Sequence, residues 1–136
     1  MPTSAFDAVT MVTVEENQDA VVAGLTEHDG GDGACLIFQC SPTPPSTSDI
    51  ATGLDTYCLL DQDGAIHYGG VTRAVLEPGR LTLTLTDQAA RELGVEDATN
   101  AITLSFPARE TGRLAEGLRR ILTYGNPTQV PELIGI

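Results

Sequence analysis

A hairpin signature decides the fold of this chain, and it lies at residues 55–76, DTYCLLDQDGAIHYGGVTRAVL. Two runs rich in β-branched, aromatic and aliphatic residues, 55–61 and 65–76, flank the pair Asp63-Gly64. An Asp-Gly pair between such runs favours a type I′ turn, because that turn needs positive φ at both central positions. The stretch therefore predicts two antiparallel strands joined at this pair.

The predicted register of the hairpin follows from the two-residue turn. It places Tyr57 opposite Gly70 and Tyr68 opposite Leu59, so that both tyrosines lie on one face. Their rings can cover the bare backbone of Gly70 and stiffen the hairpin. They can also form a contact patch, because tyrosine brings contact area at a low cost in entropy. Both roles stay open, one for each side of the rings.

Strand patterns continue on both sides of the hairpin. Upstream, β-branched and apolar runs predict strands at 8–15, 20–26 and 34–40. Downstream, residues 81–85 and 101–106 alternate between apolar and hydroxyl side chains, which predicts strands with one buried and one wet face.

Helical patterns are fewer. Thr86 or Asp87 can cap a short helix that Gly94 ends. Residues 109–124 carry one apolar stripe at helical spacing. The polar, proline-rich stretch 41–53 is predicted as a loop, with one helical turn inside it. The sequence thus predicts an α+β fold: an antiparallel sheet of about six to eight strands, a C-terminal amphipathic helix packed on one face, and one short additional helix.

Length and composition indicate one domain. The chain has 136 residues, of which 41% are hydrophobic, and we expect a core at about 8–124 with peripheral tails at 1–7 and 127–136. The N-terminus lacks the pattern of a signal peptide, and no apolar run approaches the length of about 20 residues that spans a bilayer. We therefore expect a cytoplasmic protein whose three cysteines are reduced thiols.

Charge is distributed unevenly along the sequence. Residues 1–72 contain 11 acidic side chains and no lysine or arginine, whereas residues 73–136 contain 8 acidic side chains and all seven arginines. A one-sided negative field attracts a basic partner. It disfavours nucleic acid, because phosphate contacts need cations, and it disfavours an anionic membrane surface. Acidity that serves solubility alone stays an alternative.

Catalytic and metal-binding patterns are weak. The absence of lysine excludes a P-loop and Schiff-base chemistry. The predicted register puts Cys58 and His67 on one face, which allows a Cys/His dyad, but no third orienting residue is near. The acidic turn at 61–64 lacks the glycine and glutamate that an EF-hand needs at its sixth and twelfth positions. We therefore predict no catalytic residue, no metal and no cofactor.

The hairpin resembles the Immunity protein 10 family of bacterial polymorphic-toxin systems. The similarity lies in GLDTYC at 53–58, DG at 63–64 and YGGV at 68–71, followed by a strand, an AAxxLG segment at 89–94 and a terminal amphipathic helix. It covers about residues 8–124. The resemblance implies a non-catalytic protein that binds and neutralises a cognate toxin. Many toxins of such systems are basic nucleases, so the implied partner is a protein with a positive surface.

That implication agrees with the charge pattern, because an acidic inhibitor can occupy a phosphate-binding surface with aromatic anchors at the centre and carboxylates around them. We predict that the partner contacts come from Asp49, Asp55, Tyr57, Asp61, Asp63, His67 and Tyr68. An adaptor or regulatory domain for another protein remains an alternative, as does a small enzyme that uses a Cys/His pair or carboxylates. The sequence leaves the oligomeric state open.

Overall fold

The computed structural model describes residues 11–26, 35–61, 64–93, 95 and 99–136. The strands in this part are β1 Met11–Glu16, β2 Val21–Thr26, β3 Cys35–Cys40, β4 Cys58–Asp61, β5 Ile66–Tyr68, β6 Val71–Glu77, β7 Arg80–Leu85, β8 Ala101–Ser105 and β9 Glu132–Ile134. The α-helices are α1 Thr47–Thr52, α2 Asp87–Glu92 and α3 Thr111–Leu122, with 3-10 turns at Ala108–Glu110 and Pro127–Gln129. The predicted α+β class is confirmed.

The strands are divided between two sheets. The first sheet has the order β1-β2-β3-β4-β5 and is antiparallel throughout. The second has the order β8-β7-β6-β9, and β9 runs parallel to β6. The sequence had suggested a single sheet, because residues 65–76 form one β-rich run. The chain instead changes sheets at Gly69 and Gly70, which both have positive φ.

Gly70 shows why this change of sheet needs glycine. Its φ is +94°, a conformation that residues with a side chain rarely adopt. An added Cβ would also lie 2.7 Å from the Cβ of Ala89 and 2.7 Å from Cδ2 of His67. The close packing of α2 and β5 around this backbone therefore depends on the missing side chain.

One face of each sheet is apolar, and these faces share one core with α3. In the second sheet, the leucines of β7 are buried in strict alternation with polar residues, as the sequence predicts. Helix α3 buries its apolar stripe of Leu114, Leu118, Ile121 and Leu122. It packs on β1, β2 and β3 and also touches β6. The amphipathic helix predicted on one face of a sheet is thus present.

The β4–β5 hairpin has a register one residue away from the predicted one. Cys58 pairs with Tyr68, where a two-residue turn would have paired it with Gly69. The connection is longer because Asp61 closes it from both sides. Its backbone N–H donates to the Ala65 carbonyl at 3.2 Å, and its carboxylate accepts from the Ala65 N–H at 3.0 Å.

This one-residue shift changes which side chains share a face, because side chains alternate along a strand. Tyr57 and Tyr68 lie on opposite faces, so the predicted two-tyrosine face is wrong. Cys58 and His67 are also on opposite faces, since His67 pairs with Leu59. The geometric basis for a Cys/His dyad is therefore lost.

Residues 127–136 are more than a peripheral tail. Strand β9 adds a parallel edge to β6, with Arg73 opposite Glu132 and Ala74 opposite Leu133. Before it, Gln129 lies against Gly69 and accepts a hydrogen bond from the Gly70 N–H. The end of the chain thus holds the crossing point between the two sheets.

Candidate partner-binding surface

The outer faces of the two sheets differ in chemistry. The outer face of the second sheet is mainly polar, with pairs such as Thr82 with Thr103 and Arg80 with Ser105, although Val75 and Ile134 lie in the same row as Thr82. The outer face of the first sheet, here called the open face, is largely apolar. Its two central rows, read across the paired strands, are Glu15-Val22-Gln39-Cys58-Tyr68 and Thr13-Gly24-Ile37-Leu60-Ile66. Ile66 is 52% exposed and Tyr68 is 43% exposed.

A cleft of about 210 Å³ lies at the Tyr68 end of the open face. Segments from across the sequence form it: the β1–β2 turn, the end of β3, the α1 segment, β4, β5 and the turn after α3. The lining residues with chemical functions relevant to binding are Asp19, Asp49, Thr56, Cys58, Tyr68 and Tyr124. The loop predicted at 41–53 therefore contributes to a concave surface.

Helix α1 positions Asp49 at this cleft. The Asp49 N–H donates to Oγ of Ser46 at 3.0 Å, and the Ser46 N–H donates to Oδ2 of Asp49 at 3.0 Å. This reciprocal capping box starts the helix, and Gly53 ends it with φ 76°. The helical turn expected inside the proline-rich stretch is present, and its cap fixes the Asp49 carboxylate.

The turn after α3 positions the other side of the cleft. The Tyr124 hydroxyl donates to the Thr43 carbonyl at 2.7 Å, and the Asn126 N–H donates to the Asp55 carbonyl at 2.7 Å. Burial raises the pKa of Tyr124, and the negative charges of Asp49 and Asp55 raise it further. The field of both carboxylates therefore acts at the cleft.

Thr56 is a buried polar residue in this wall. It is 6% exposed and pairs with Gly125 through an isolated bridge. Its hydroxyl oxygen has no hydrogen-bond partner among the residues that the structure describes. Most buried hydroxyls in proteins have such a partner, so this oxygen is an unused hydrogen-bonding group beside the cleft.

Four of the seven arginines pair with carboxylates other than the cleft aspartates. Within the described ranges, four ion pairs join arginine to carboxylates of the same chain: Arg73 with Glu132 at 3.4 Å, Arg80 with Glu77 at 2.9 Å, Arg113 with Glu110 at 3.0 Å, and Arg120 with Glu16. None of these pairs includes an aspartate of the cleft. These cations are therefore not paired with the cleft aspartates, although the charge of Arg120 opposes the larger effect of burial on the pKa of Cys40 in the cleft wall.

The structure brings together some of the predicted contact residues. Asp49 and Tyr68 both line the cleft, and Asp55 acts on the same place through its charge. Asp61 lies at the other end of β4, about 10 Å away by the rise of a strand. Asp63 lies outside the described residues.

Tyr57 has a different position from the one predicted, because its side chain is fully buried. Its hydroxyl accepts from the Val71 N–H at 3.0 Å and donates to the Gln129 carbonyl at 3.2 Å. Burial raises the pKa of Tyr57 to about 12. The ring joins the two sheets inside the core and is not placed to contact a partner.

His67 is likewise turned away from the open face. Its Nδ1 lies 2.6 Å from Oε1 of Glu92, and its side chain is 12% exposed. The hydrogen bond to His67 is the first cause of the lowered pKa of Glu92. The imidazole lies against Gly70, so it provides the ring cover that the sequence analysis assigned to tyrosine.

Sequence reasoning missed Tyr124 and Thr56 as parts of the site. Tyr124 joins the cleft through tertiary contacts across 81 residues of sequence, for which no local pattern exists. Its one signal was an aromatic residue directly before the Gly125-Asn126-Pro127 helix stop.

No group of three or more His, Cys, Asp or Glu side chains in the described ranges is arranged to hold a metal ion. No helix in the same part of the chain is long and apolar enough to cross a membrane.

These features define a small α+β protein with an accessible apolar sheet face bordered by an acidic cleft. A family model described as Immunity protein 10 matches residues 8–112. The chain belongs to the Immunity protein 10 family, and the resemblance seen in the sequence is confirmed. Membership gives it the role of an immunity protein and implies a protein toxin as its partner. No curated protein and no solved structure matches the chain.

Proposed function

We propose that this protein neutralises its cognate toxin by laying the open face and the adjoining cleft over a basic surface of the toxin, without catalysing a reaction. One observation carries the proposal: the open face is apolar and exposed, yet it is built entirely from strands β1–β5. These strands belong to residues 1–72, which contain no lysine or arginine. The open face therefore combines exposed apolar side chains with the absence of any lysine or arginine in its strands.

The chemistry of this surface matches the composition of protein interfaces. Their centres are depleted in charged residues and enriched in aromatic ones, and Tyr68 with Ile66 provides such a centre. Asp49 and Asp55 are proposed to supply the attracting field beside it, and Asp61 and Asp63 stay predicted contributors to that field. Charges at a rim mainly raise the association rate and suppress wrong partners.

The size of the surface indicates that α1 takes part. Five strands spaced about 4.8 Å apart, three of them about 20 Å long and the shorter β4 and β5 about 13 and 10 Å, present a projected area of about 400 Å². A stable interface buries about 800 Å² on each partner. The exposed side chains of Ile50 and Leu54, 61% and 42% exposed, extend the apolar area past the cleft and supply part of the difference.

The cysteine geometry supports a non-catalytic role. A nucleophilic cysteine needs a low pKa and a neighbouring base. Burial raises the pKa of Cys58, and His67 lies on the opposite face of the hairpin. The enzyme alternative therefore has no support at this pair, and the adaptor alternative is left to the binding experiment.

The test is co-expression of this protein with the toxin that we expect to be encoded beside it, followed by affinity measurement and a growth-rescue assay. Tyr68→Ala should weaken toxin binding by about 2 kcal/mol, about 30-fold in Kd. The matched control is Thr103→Ala on the outer face of the second sheet, where we expect no change beyond about twofold. If Thr103→Ala weakened binding and Tyr68→Ala did not, the proposed surface would be the wrong one.

The rim is tested through kinetics. Asp55→Asn and Asp61→Asn should lower the association rate and reduce its dependence on salt, while the dissociation rate changes little. Glu77→Gln, on the second sheet and already paired with Arg80, is the control for a general loss of charge. Equal effects of all three substitutions would indicate that net charge, and not this surface, attracts the toxin.

A further inference from the structure

We infer that the cleft between Tyr68 and Tyr124 is a binding site for one guanidinium group, supplied in the complex by an arginine side chain of the toxin. The site itself follows from the cleft of this chain. The assignment of its donor to the toxin rests on the proposed function.

The dimensions of the cleft suit a single long side chain. Its volume of about 210 Å³ is below the range of about 300–1,000 Å³ that holds ordinary small-molecule ligands. Tyr68 and Tyr124 both line it. Aromatic faces attract cations, and a planar guanidinium can also stack on them.

Two carboxylates in the cleft wall favour a cation over a neutral or negative group. Asp19 and Asp49 line the cleft, and within the described ranges neither forms an ion pair with an arginine. Asp49 uses one carboxylate oxygen to cap α1. Its second oxygen can accept from an entering N–H group, because an ionised carboxylate offers about four acceptor sites.

Thr56 provides the independent sign of a ligand. It lines the cleft, is 6% exposed, and has a hydroxyl oxygen with no partner in the described part of the chain. Because this oxygen is buried, an N–H donor that enters the cleft supplies that partner when the Thr56 side chain rotates toward it. Guanidinium has five donors in a fixed planar fork, whereas ammonium is a compact point charge. Arginine therefore combines several donors, suited to Asp49 and Thr56, with a plane suited to a tyrosine ring.

The first test uses a free probe and no toxin. The protein is titrated with N-acetyl-L-arginine amide, and backbone amide shifts are followed by NMR at constant ionic strength. We expect saturable shifts at Thr56, Cys58, Tyr68 and Tyr124, with half-saturation on the order of 10 mM. N-acetyl-L-citrulline amide, which is nearly isosteric but neutral, should give no saturable shift there. Equal responses to both probes, or no saturable response to the arginine probe, would overturn the inference.

Two substitutions test the named groups. Thr56→Val keeps the shape and removes the hydroxyl, so it should lower affinity for the probe at least threefold without lowering the thermal midpoint. Asp49→Asn keeps a side-chain oxygen that can accept from the Ser46 N–H and so preserve the capping box, and it should lower affinity at least fivefold. Asp87→Asn, at the start of α2, is the control and should leave affinity unchanged. Wild-type affinity in both cleft variants would overturn the site.

The toxin complex separates this inference from the proposed function. If the probe binds in the cleft and Asp49→Asn also weakens the toxin complex at least fivefold, the guanidinium site and the proposed function are both supported. If the probe binds but Asp49→Asn leaves the toxin complex unchanged, the toxin arginine is excluded while neutralisation stands. If the probe binds and no toxin is bound at all, the proposed function fails and the guanidinium site remains.

Discussion

Replacing Tyr57 by phenylalanine removes one oxygen atom from the middle of the fold, and the cost can be worked out from its two partners. The Val71 N–H, which donates to this oxygen at 3.0 Å, belongs to a residue that is 4% exposed. It would be left buried without its acceptor. The Gln129 carbonyl is only half-buried, so water can replace the lost hydroxyl there.

The expected loss is therefore dominated by one buried donor. Leaving such a group unsatisfied costs about 1–3 kcal/mol, and we expect Tyr57→Phe to lower the free energy of unfolding by about 2 kcal/mol. For a chain of this length, that corresponds to a fall of about 8 °C in Tm. Urea unfolding followed by circular dichroism should show a lower midpoint with an unchanged m-value, since the surface exposed on unfolding is the same.

Tyr68→Phe is the matched control, because it removes the same atom from an exposed ring. It should change stability by less than about 0.5 kcal/mol. Toxin affinity should not follow stability: Tyr57→Phe, once folded, should bind the toxin like the wild type. A Tyr57→Phe variant as stable as the wild type but defective in toxin binding would refute the buried position and restore the contact role that the sequence suggested.

Two further predictions concern the fold. Gly70→Ala should lower stability by more than about 2 kcal/mol in urea unfolding, because strain at φ +94° adds to the clash with Ala89. Gly64 has φ +81°, but an added Cβ there would meet nothing within 4 Å, so Gly64→Ala should lower the free energy of unfolding by about 1 kcal/mol. Equal losses in the two variants would contradict the packing at Gly70. Burial raises the pKa of Cys40 from 9.0 to about 11 and that of Tyr57 from 10.0 to about 12. The stability that the neutral forms of Cys40 and Tyr57 contribute is fully present below their unfolded-state pKa values. It is lost as pH rises through their folded-state pKa values. The urea midpoint of the wild type should therefore decrease between pH 9 and 12, and in Tyr57→Phe the part of this decrease above pH 10 should be absent. A midpoint that stays constant with pH would contradict the raised pKa values of both groups.

Local sequence patterns predicted the elements that local physics determines. Leucine at every second position of 81–85 places one face of β7 in the core, since side chains alternate along a strand. Thr86 caps α2 as expected, with its hydroxyl accepting from the Ala89 N–H at 3.1 Å. The spacing of Leu114 and Leu118 predicted the buried stripe of α3. Each of these features is contained within one turn or one strand.

The hairpin register could not be obtained in the same way. The residues around Asp63-Gly64 are compatible with either a two-residue or a three-residue connection. The length of the connection determines which face of the sheet every later side chain of the hairpin lies on. The structure favours the longer connection because the Asp61 carboxylate accepts from the Ala65 N–H. Such side-chain competition with turn geometry is weak and local, yet it determines whether the two tyrosines share a face.

The site depended on contacts that no short pattern encodes. The sequence predicted that Asp49 and Tyr68 belong to one surface, from charge and residue type alone. It did not predict that the turn after α3 would return to residues 55–56. Only glycine fits at position 125, because an added Cβ would collide with the Asp55 carbonyl. The division into two sheets and the short parallel strand β9 likewise come from packing over long sequence separations.

The topology leaves the open face as the accessible side of the first sheet. Its inner face is covered by α3. At one edge, Arg113 donates to the Val12 carbonyl at 2.6 Å and Arg120 pairs with Glu16, so cations from α3 occupy the edge of β1. At the other edge, β5 has three residues, and α2 is joined to it through the His67–Glu92 contact. Engaged or short edges disfavour strand addition. These edges therefore favour the proposed contact through the outer face, whose five strands contain no lysine or arginine.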